Sequence, residues 1–447
     1  MTPWMRDPPW VDTLKDGTVK QINPFSGTEV WTVPGRGNRP AAAKPRPAQP
    51  IDQAAQGAHC VFCELRYSET PPEKARLLAP GTAETNERTE TFTSASSLFD
   101  SAAEFRRVPN LFEILPLAYW VSNYGYELPT DLAGHCQRYL SEEAGREHVR
   151  AVLTAKRQAS GEVLAGGLEL SDLRAGIEGF FGSTHDLIIA RRHFQDDAQD
   201  DSALASSGTL TPAEHRRFMA FTVAAMRDLY RRNRYVRYVS VFQNWLRPAG
   251  ASLDHLHKQL AGIDTHGAQY ELALDALRAN PEVFNERAAN YAAYNNLMIA
   301  ENSFALAFAG FGHRFPTVEV FSKSKAPDPW HHSREELAGM SDLVHAIHAA
   351  IGPDVPANEE WHSRPIDAVL PSPWRIMLKQ RTSTLAGFEG ATKIYINTVT
   401  PYQVRDQIVE QLYRLRRAGL IAPGIRIATE VSCQPNPLRY TANRGVR

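Results

Sequence analysis

Apolar and polar positions along this chain fall into the same order twice. His185-Asp186-Leu187-Ile188-Ile189-Ala190 is an apolar run of strand length, and after a polar loop Thr211-Pro212-Ala213-Glu214 opens a helix with a cap, an N1 proline and a capping-box glutamate. Phe218, Phe221, Ala225 and Leu229 give that helix one apolar stripe. The order then recurs. Phe315 to Phe321 reads as a strand, and Ser333-Arg334-Glu335-Glu336 opens a second capped helix with Leu337, Met340, Leu343 and Ile347 on one side. A β-rich run follows each helix, Tyr235 to Phe242 in the first half and Ile376 to Val399 in the second. This predicts an internal duplication of an α+β unit. A tail helix opens at Thr400-Pro401-Tyr402-Gln403 and stops near Gly419.

Two further stretches, Leu117 to Gln158 and Tyr270 to Asn296, read as helical, with Trp120, Tyr124, Tyr126 and Tyr139 as packing groups. Residues 40–59, rich in Pro, Ala and Gln, and the polar residues 73–100 read as irregular connections.

Composition narrows the function classes. With 447 residues, 43% of them apolar, the chain can bury substantial cores. Forty-nine basic residues against fifty acidic ones leave no global field to draw it to nucleic acid or an anionic membrane, so any anion site is local. Met1 to Trp10 has prolines and charges where a signal peptide needs an apolar stretch, and no run approaches the roughly 18 apolar residues of a membrane span. A cytoplasmic protein is expected. Four cysteines make no disulfide framework, and Cys60 and Cys63 have a metal-binding spacing, while Cys136 and Cys433 read as buried thiols.

The densest chemistry lies between Phe242 and Gln259. On an extended segment His255, His257 and Gln259 line one wall, and the small residues Gly250, Ala251 and Ser252 leave backbone N–H groups open to a phosphate. Periodicity alone also allows a surface feature or an ordinary metal pair.

Four pieces of the sequence together resemble the galactose-1-phosphate uridylyltransferase branch of the histidine-triad superfamily, which also holds sugar-nucleotide and dinucleoside-polyphosphate phosphorylases. They are Asn23-Pro24-Phe25-Ser26-Gly27-Thr28-Glu29-Val30-Trp31 with Gly35-Arg36-Gly37-Asn38-Arg39-Pro40, then Cys60-Val61-Phe62-Cys63, then Val108-Pro109-Asn110, and the His255 to Gln259 run preceded by Phe242-x-Asn244. Thr384 to Glu389 and Ile394 to Asn397 are similar to a late segment of phosphorylase-like members. The resemblance implies an α+β, histidine-triad-like duplicated fold, with two antiparallel sheets flanked by helices and with helical insertions. Residues 1–265 would form the catalytic half with a helical insertion at about 117–158, residues 266–299 a helical connection, and residues 300–447 the second half.

It also implies roles. Cys60 and Cys63 with His193 and His255 would hold one structural Zn²⁺, a closed tetrahedral set with no position for water. His257 would be the nucleophile, forming a nucleotidyl-histidine if an acceptor holds its other N–H; the sequence does not identify that acceptor. Gln259 stands where hydrolytic relatives carry histidine and can only hydrogen-bond phosphoryl oxygens, which favours transfer over hydrolysis. Arg36 and Arg39 match phosphate-binding arginines, Asn110 a nucleoside contact, and Asn244 and Ser252 polar groups near the α-phosphate. His185 reads as an ordinary strand-end histidine.

The chain departs from the family at several points. The second-half His-x-His run is replaced by Ser372-Pro373-Trp374-Arg375-Ile376-Met377, so no second metal is expected. Lys393 and Leu246 each stand where relatives have glycine. The expected activity is transfer of a nucleoside monophosphate between a nucleotide sugar and a sugar 1-phosphate. A phosphorylase is the close alternative, and a hydrolase or a non-catalytic nucleotide-binding protein the more distant ones. The expected partners are a nucleotide sugar and a sugar phosphate or phosphate, with no nucleic acid and no membrane; a homodimer is compatible with the family.

Overall fold

The computed structural model describes residues 9–35, 48–52, 55–79, 88–162, 166–381 and 383–441. The first half contains strands β1 (Val11–Thr13), β2 (Val19–Ile22), β3 (Glu29–Thr32), β4 (Ala75–Leu78), β5 (Arg88–Thr91), β6 (Ala103–Pro109), β7 (His185–Ala190), β8 (Tyr238–Trp245) and β9 (His257–Ile263). Its helices are α1 (Leu117–Tyr124), α2 (Thr130–Ser141), α3 (Glu143–Ala159), α4 (Leu170–Gly182) and α5 (Pro212–Arg232). The second half has strands β10 (Met298–Glu301), β11 (Ala305–Ala309), β12 (Thr317–Ser322), β13 (Ala357–His362), β14 (Arg375–Gln380), β15 (Ile394–Asn397) and β16 (Arg426–Ile427). Its helices are α6 (Ala268–Ala279), α7 (Tyr291–Tyr294), α8 (Arg334–Ile351), α9 (Gly387–Thr392) and α10 (Pro401–Arg417).

Twelve strands form one antiparallel sheet in the order β16-β10-β11-β12-β14-β13-β8-β9-β7-β6-β4-β5. Read outward from the β13–β8 joint, β13 matches β8, β14 matches β9, and β12, β11 and β10 match β7, β6 and β4, with α8 and α5 at the same point of each half. The duplication is therefore real. Two antiparallel sheets meet edge to edge through pairs that run from Ala357 opposite Trp245 to Glu360 opposite Phe242, so neither half leaves an open strand there. A smaller sheet, β1-β2-β3-β15, ties the chain start to the second half, with β15 parallel to β3.

The capped helices form as their sequences dictate. Thr211 accepts a hydrogen bond from the Glu214 N–H, and Ser333 one from the Glu336 N–H, each in a full capping box. Phe218, Met226 and Leu229 of α5 and Met340, Leu343 and Ile347 of α8 pack in one core with Val239, Val241, Leu260, Ile376 and Leu378 of the sheet. Burying each such side chain is worth about 1.5–3 kcal/mol before entropy is charged against it. Both helices cover the same sheet face, and His257 and Gln259 lie on the opposite one.

Three expectations need correction. Residues 73–100 are not wholly irregular, because β4 and β5 pair as an antiparallel edge. Their pattern hides this: β5 is largely exposed, and buried Arg76 is satisfied by the Glu73 carboxylate and the carbonyls of Leu98 and Ser101. The first helical insertion runs past Gln158 into α4, where Gly176 lets the helix close on Leu153, a Cβ there meeting Leu153 Cδ1 at 2.5 Å. Cys433 is exposed, at φ +47°, whereas Cys136 is buried. No helix among the described residues is long and apolar enough to cross a membrane.

Candidate active site

The strand partners of β9 set the site. His257 lies opposite Ile189 and Gln259 opposite Leu187 on β7, while Phe242 of β8 lies opposite Gln259 on the other side. In an antiparallel pair facing residues share a face, so these side chains project together, away from α5 and α8.

Cys60 and Cys63 end the turn that leads into a 3₁₀ helix, Glu64–Glu69. Their sulfurs are 3.8 Å apart; Cys60 Sγ lies 3.4 Å from His255 Nδ1, and Cys63 Sγ lies 3.6 Å from His193 Nδ1 and 3.8 Å from His255 Nδ1. All four ligand atoms lie within 4.8 Å of one another. A tetrahedral Zn²⁺ with ordinary bond lengths would set edges of about 3.8 Å between sulfurs and about 3.5 Å between sulfur and nitrogen. The cluster could hold a metal ion, and its donor set and spacing suit zinc. His255 Nε2 donates to the Ala190 carbonyl at 2.6 Å, which frees Nδ1 as the ligand atom. The Cys63 thiol is pulled far below its ordinary range by the hydrogen bond from Cys60 and by both imidazoles, which favours a thiolate.

The acceptor missing from the sequence is a main-chain carbonyl. His257 Nδ1 donates to the oxygen of His255 at 2.7 Å, which leaves the Nε2 lone pair for the open side of the site. Burial lowers the imidazole pKa to about 4, so the ring is neutral at pH 7. Phe62 meets the ring edge-on, with centroids 5.2 Å apart, and packs with Val108, Leu187 and Ile189 as an apolar wall beside His257.

His185 belongs to this group, contrary to the strand-end reading. Its Nδ1 accepts from the Ile114 N–H at 3.2 Å, so Nε2 carries the proton and donates to Gln259 Oε1 at 3.1 Å. Asn110 Nδ2 also reaches Gln259 Oε1, at 3.4 Å, while Asn110 Oδ1 accepts from the Phe112 N–H. With its oxygen held twice, Gln259 turns its amide nitrogen outward. The available signal was the polar His185 on an otherwise apolar face shared with Leu187 and Ile189, but only the strand register links it to Gln259.

The turn before β9 differs from expectation. A 3₁₀ turn, Arg247–Ala249, ends in Gly250 at φ +92°, and it consumes the N–H groups of Gly250 and Ala251 on the carbonyls of Arg247 and Leu246. The Ser252 N–H donates to no described protein group. Asn244 Oδ1 accepts from Asn358 Nδ2 at 2.8 Å, and its own Nδ2 lies beside Gly250. Leu246 at φ +65° and Lys393 at φ +59° keep a backbone conformation that suits glycine. Arg36 and Arg39 lie outside the described residues.

Comparison with known proteins agrees with this fold. The chain is similar to a solved ADP-glucose phosphorylase from Arabidopsis thaliana with bound ADP-glucose, at 17% identity and a TM-score of 0.54, over 88% of this chain and 97% of that one. It is also similar to a solved galt-like protein from Arabidopsis thaliana, at 18% identity and a TM-score of 0.52, over 79% of this chain and 92% of that one. A curated ADP-glucose phosphorylase from Arabidopsis thaliana is 26% identical over 177 residues, 38% of this chain, so the chain spans 50% of the length of that relative. By fold the chain is like both of these solved proteins. The chain belongs to the family described as a domain of unknown function, DUF4921, whose model matches residues 14–440.

Proposed function

We propose that this protein is a nucleotidyltransferase that works through His257, moving a nucleoside monophosphate between a nucleotide sugar and a sugar 1-phosphate. The observation that carries the reading is the hydrogen bond from His257 Nδ1 to the His255 carbonyl, in a ring kept neutral by burial. The free Nε2 attacks the α-phosphorus, the bond to the bridging oxygen breaks, and sugar 1-phosphate leaves with that electron pair. An oxygen of a second phosphate then attacks the nucleotidyl-histidine and restores the imidazole. Leaving and entering groups are both phosphates, so Gln259 need only donate its N–H to a phosphoryl oxygen, and no proton donor is needed.

In this reading Arg36 and Arg39 balance phosphate charge, Asn110 contacts the nucleoside, and Asn244 and Ser252 lie near the α-phosphate. Cys60, Cys63, His193 and His255 would hold a structural zinc that fixes the strand bearing His257. The half formed by residues 1–265 carries the chemistry. A second reading, a phosphorylase that uses inorganic phosphate or a nucleoside diphosphate as acceptor, is favoured by the likeness to ADP-glucose phosphorylases.

Exchange of labelled glucose 1-phosphate into ADP-glucose or UDP-glucose, with no other acceptor present, tests the shared first step. Exchange by the wild type and none by His257→Asn is the expected result; no exchange with either donor removes the reading for these sugars.

A further inference from the structure

A cavity of about 430 Å³ lies along the outer side of α5, on the sheet face opposite His257. Its volume is that of a small-molecule site. Along α5 it is lined by Ala220, Ala224, Arg227 and Arg231, which recur at helical spacing; Ala224 and both arginines are exposed. Thr89, Thr91 and Phe92 of β5 and its end, with Leu132 and Phe181 of the first helical insertion, contribute further lining, and Trp330 and Leu337 reach it from the second half.

The charges around this cavity do not balance. Lys74 and Arg107 each lie 2.7 Å from an oxygen of buried Asp186, and Arg107 also reaches Asp228 at 2.7 Å. Arg232 pairs with Asp228 at 2.9 Å and with Asp131 at 3.1 Å. Lys74, Arg107 and Arg232 are thus matched by three carboxylates. Arg227 and Arg231 are left over, and neither side chain has an ion-pair or hydrogen-bond partner among the described residues. Like charges four residues apart are neighbours on a helix and oppose its formation. A doubly negative group bridging the two guanidinium forks relieves that repulsion, whereas one carboxylate neutralises only one of them.

Flat apolar surface lies in the same cavity. The rings of Phe92 and Phe181 both pack on His135, with centroids 4.8 and 4.7 Å away, which fixes this side. Phe92 sits at φ +60°, in the left-handed region that bulky residues rarely enter and that recurs at ligand clamps. The Thr89 and Thr91 hydroxyls, at exposed positions, make no hydrogen bond among the described residues. Cationic forks, free hydroxyls and an aromatic face complement a phosphate, a ribose and a base.

We propose that this cavity is a second ligand site that takes a nucleoside monophosphate, with the phosphate on Arg227 and Arg231, the ribose hydroxyls at Thr89 and Thr91, and the base against Phe92. The site lies behind the sheet that bears His257 and stands apart from the transferase reading.

Calorimetric titration of the full chain with AMP, GMP, CMP and UMP in turn tests this by counting sites, since the His257 side can itself take a nucleotide. The double variant Arg227→Ala, Arg231→Ala removes the surplus charge, and Ala224→Trp fills the cavity from α5. All three positions are exposed, so both proteins should keep the wild-type melting temperature. One of the four nucleotides should occupy one more site per chain in the wild type than in Ala224→Trp, and the double variant should bind it there about 10-fold or more weakly. Unchanged site numbers and affinities in both variants with all four nucleotides overturn the assignment, as does inorganic phosphate binding there as tightly as the nucleotide. Failure of His257 to accept a nucleotide would leave this difference in sites unchanged, so the two readings fail separately.

Discussion

His257 Nδ1 donates to the carbonyl oxygen of His255 over 2.7 Å, and His255 itself places its own Nδ1 3.4 Å from Cys60 Sγ. The residue that orients the proposed nucleophile is thus a member of the cluster that could hold a metal ion.

Removal of the ligand set should therefore cost both stability and activity. Cys63→Ser is predicted to lose metal, to destabilise the chain by more than about 4 kcal/mol, and to lose exchange activity as His257 loses its carbonyl partner. Metal analysis and urea unfolding check this. A metal-free wild type with full activity and unchanged stability contradicts the structural-zinc reading.

His185 is predicted to act on activity through Gln259. His185→Phe keeps a ring of similar size and removes the donor to Gln259 Oε1, so Gln259 is free to rotate. Turnover should fall by roughly 10–100-fold, as for other lost orienting contacts, with donor KM and melting temperature little changed. Steady-state kinetics decide this, and an unchanged kcat removes the role.

Lys393 is exposed and sits at φ +59°, a conformation that costs a side-chain-bearing residue about 1–2 kcal/mol. Lys393→Gly removes that cost and loses part of it again to unfolded-chain entropy. A net gain of about 0.5–1 kcal/mol is expected, against none for Lys393→Ala. Equal stabilities for Gly and Ala in urea unfolding contradict the strain.

Glu301 ties β10 to the C-terminal segment. Burial alone would raise its pKa, but Lys323, the Ser432 N–H and Arg426 outweigh this and hold it at about 2, against an ordinary 4.5. A depressed carboxylate contributes stability above the unfolded pKa and loses it as pH falls towards the folded one. The wild type should therefore lose up to about 3 kcal/mol more than Glu301→Gln between about pH 5 and pH 2, measured by urea unfolding. Parallel pH profiles for the two proteins contradict this.

The sequence carried the local part of this structure. Cap signals at Thr211, Ser333 and Thr400 are short-range and appear in α5, α8 and α10 as written. The four cysteine and histidine residues that converge were legible through the resemblance, although 195 positions separate Cys60 from His255. What was not legible depends on register or on the main chain. The His255 carbonyl has no sequence signature, the meeting of Asn244 and Asn358 follows from two edge strands pairing, and the N–H groups of Gly250 and Ala251 are spent in a 3₁₀ turn that composition does not announce. Edge strand β5 escaped notice because an exposed edge has no buried alternation to show.

The central claim is a covalent nucleotide on His257. Intact-protein mass measured after mixing with ADP-glucose, UDP-glucose, GDP-glucose and diadenosine tetraphosphate in turn, without acceptor, tests it most directly. An increase of one nucleoside monophosphate with one of these donors, absent in His257→Asn, is the predicted result and names the base. A metal-loaded, folded protein that gains no mass with any of them contradicts the claim for these donors.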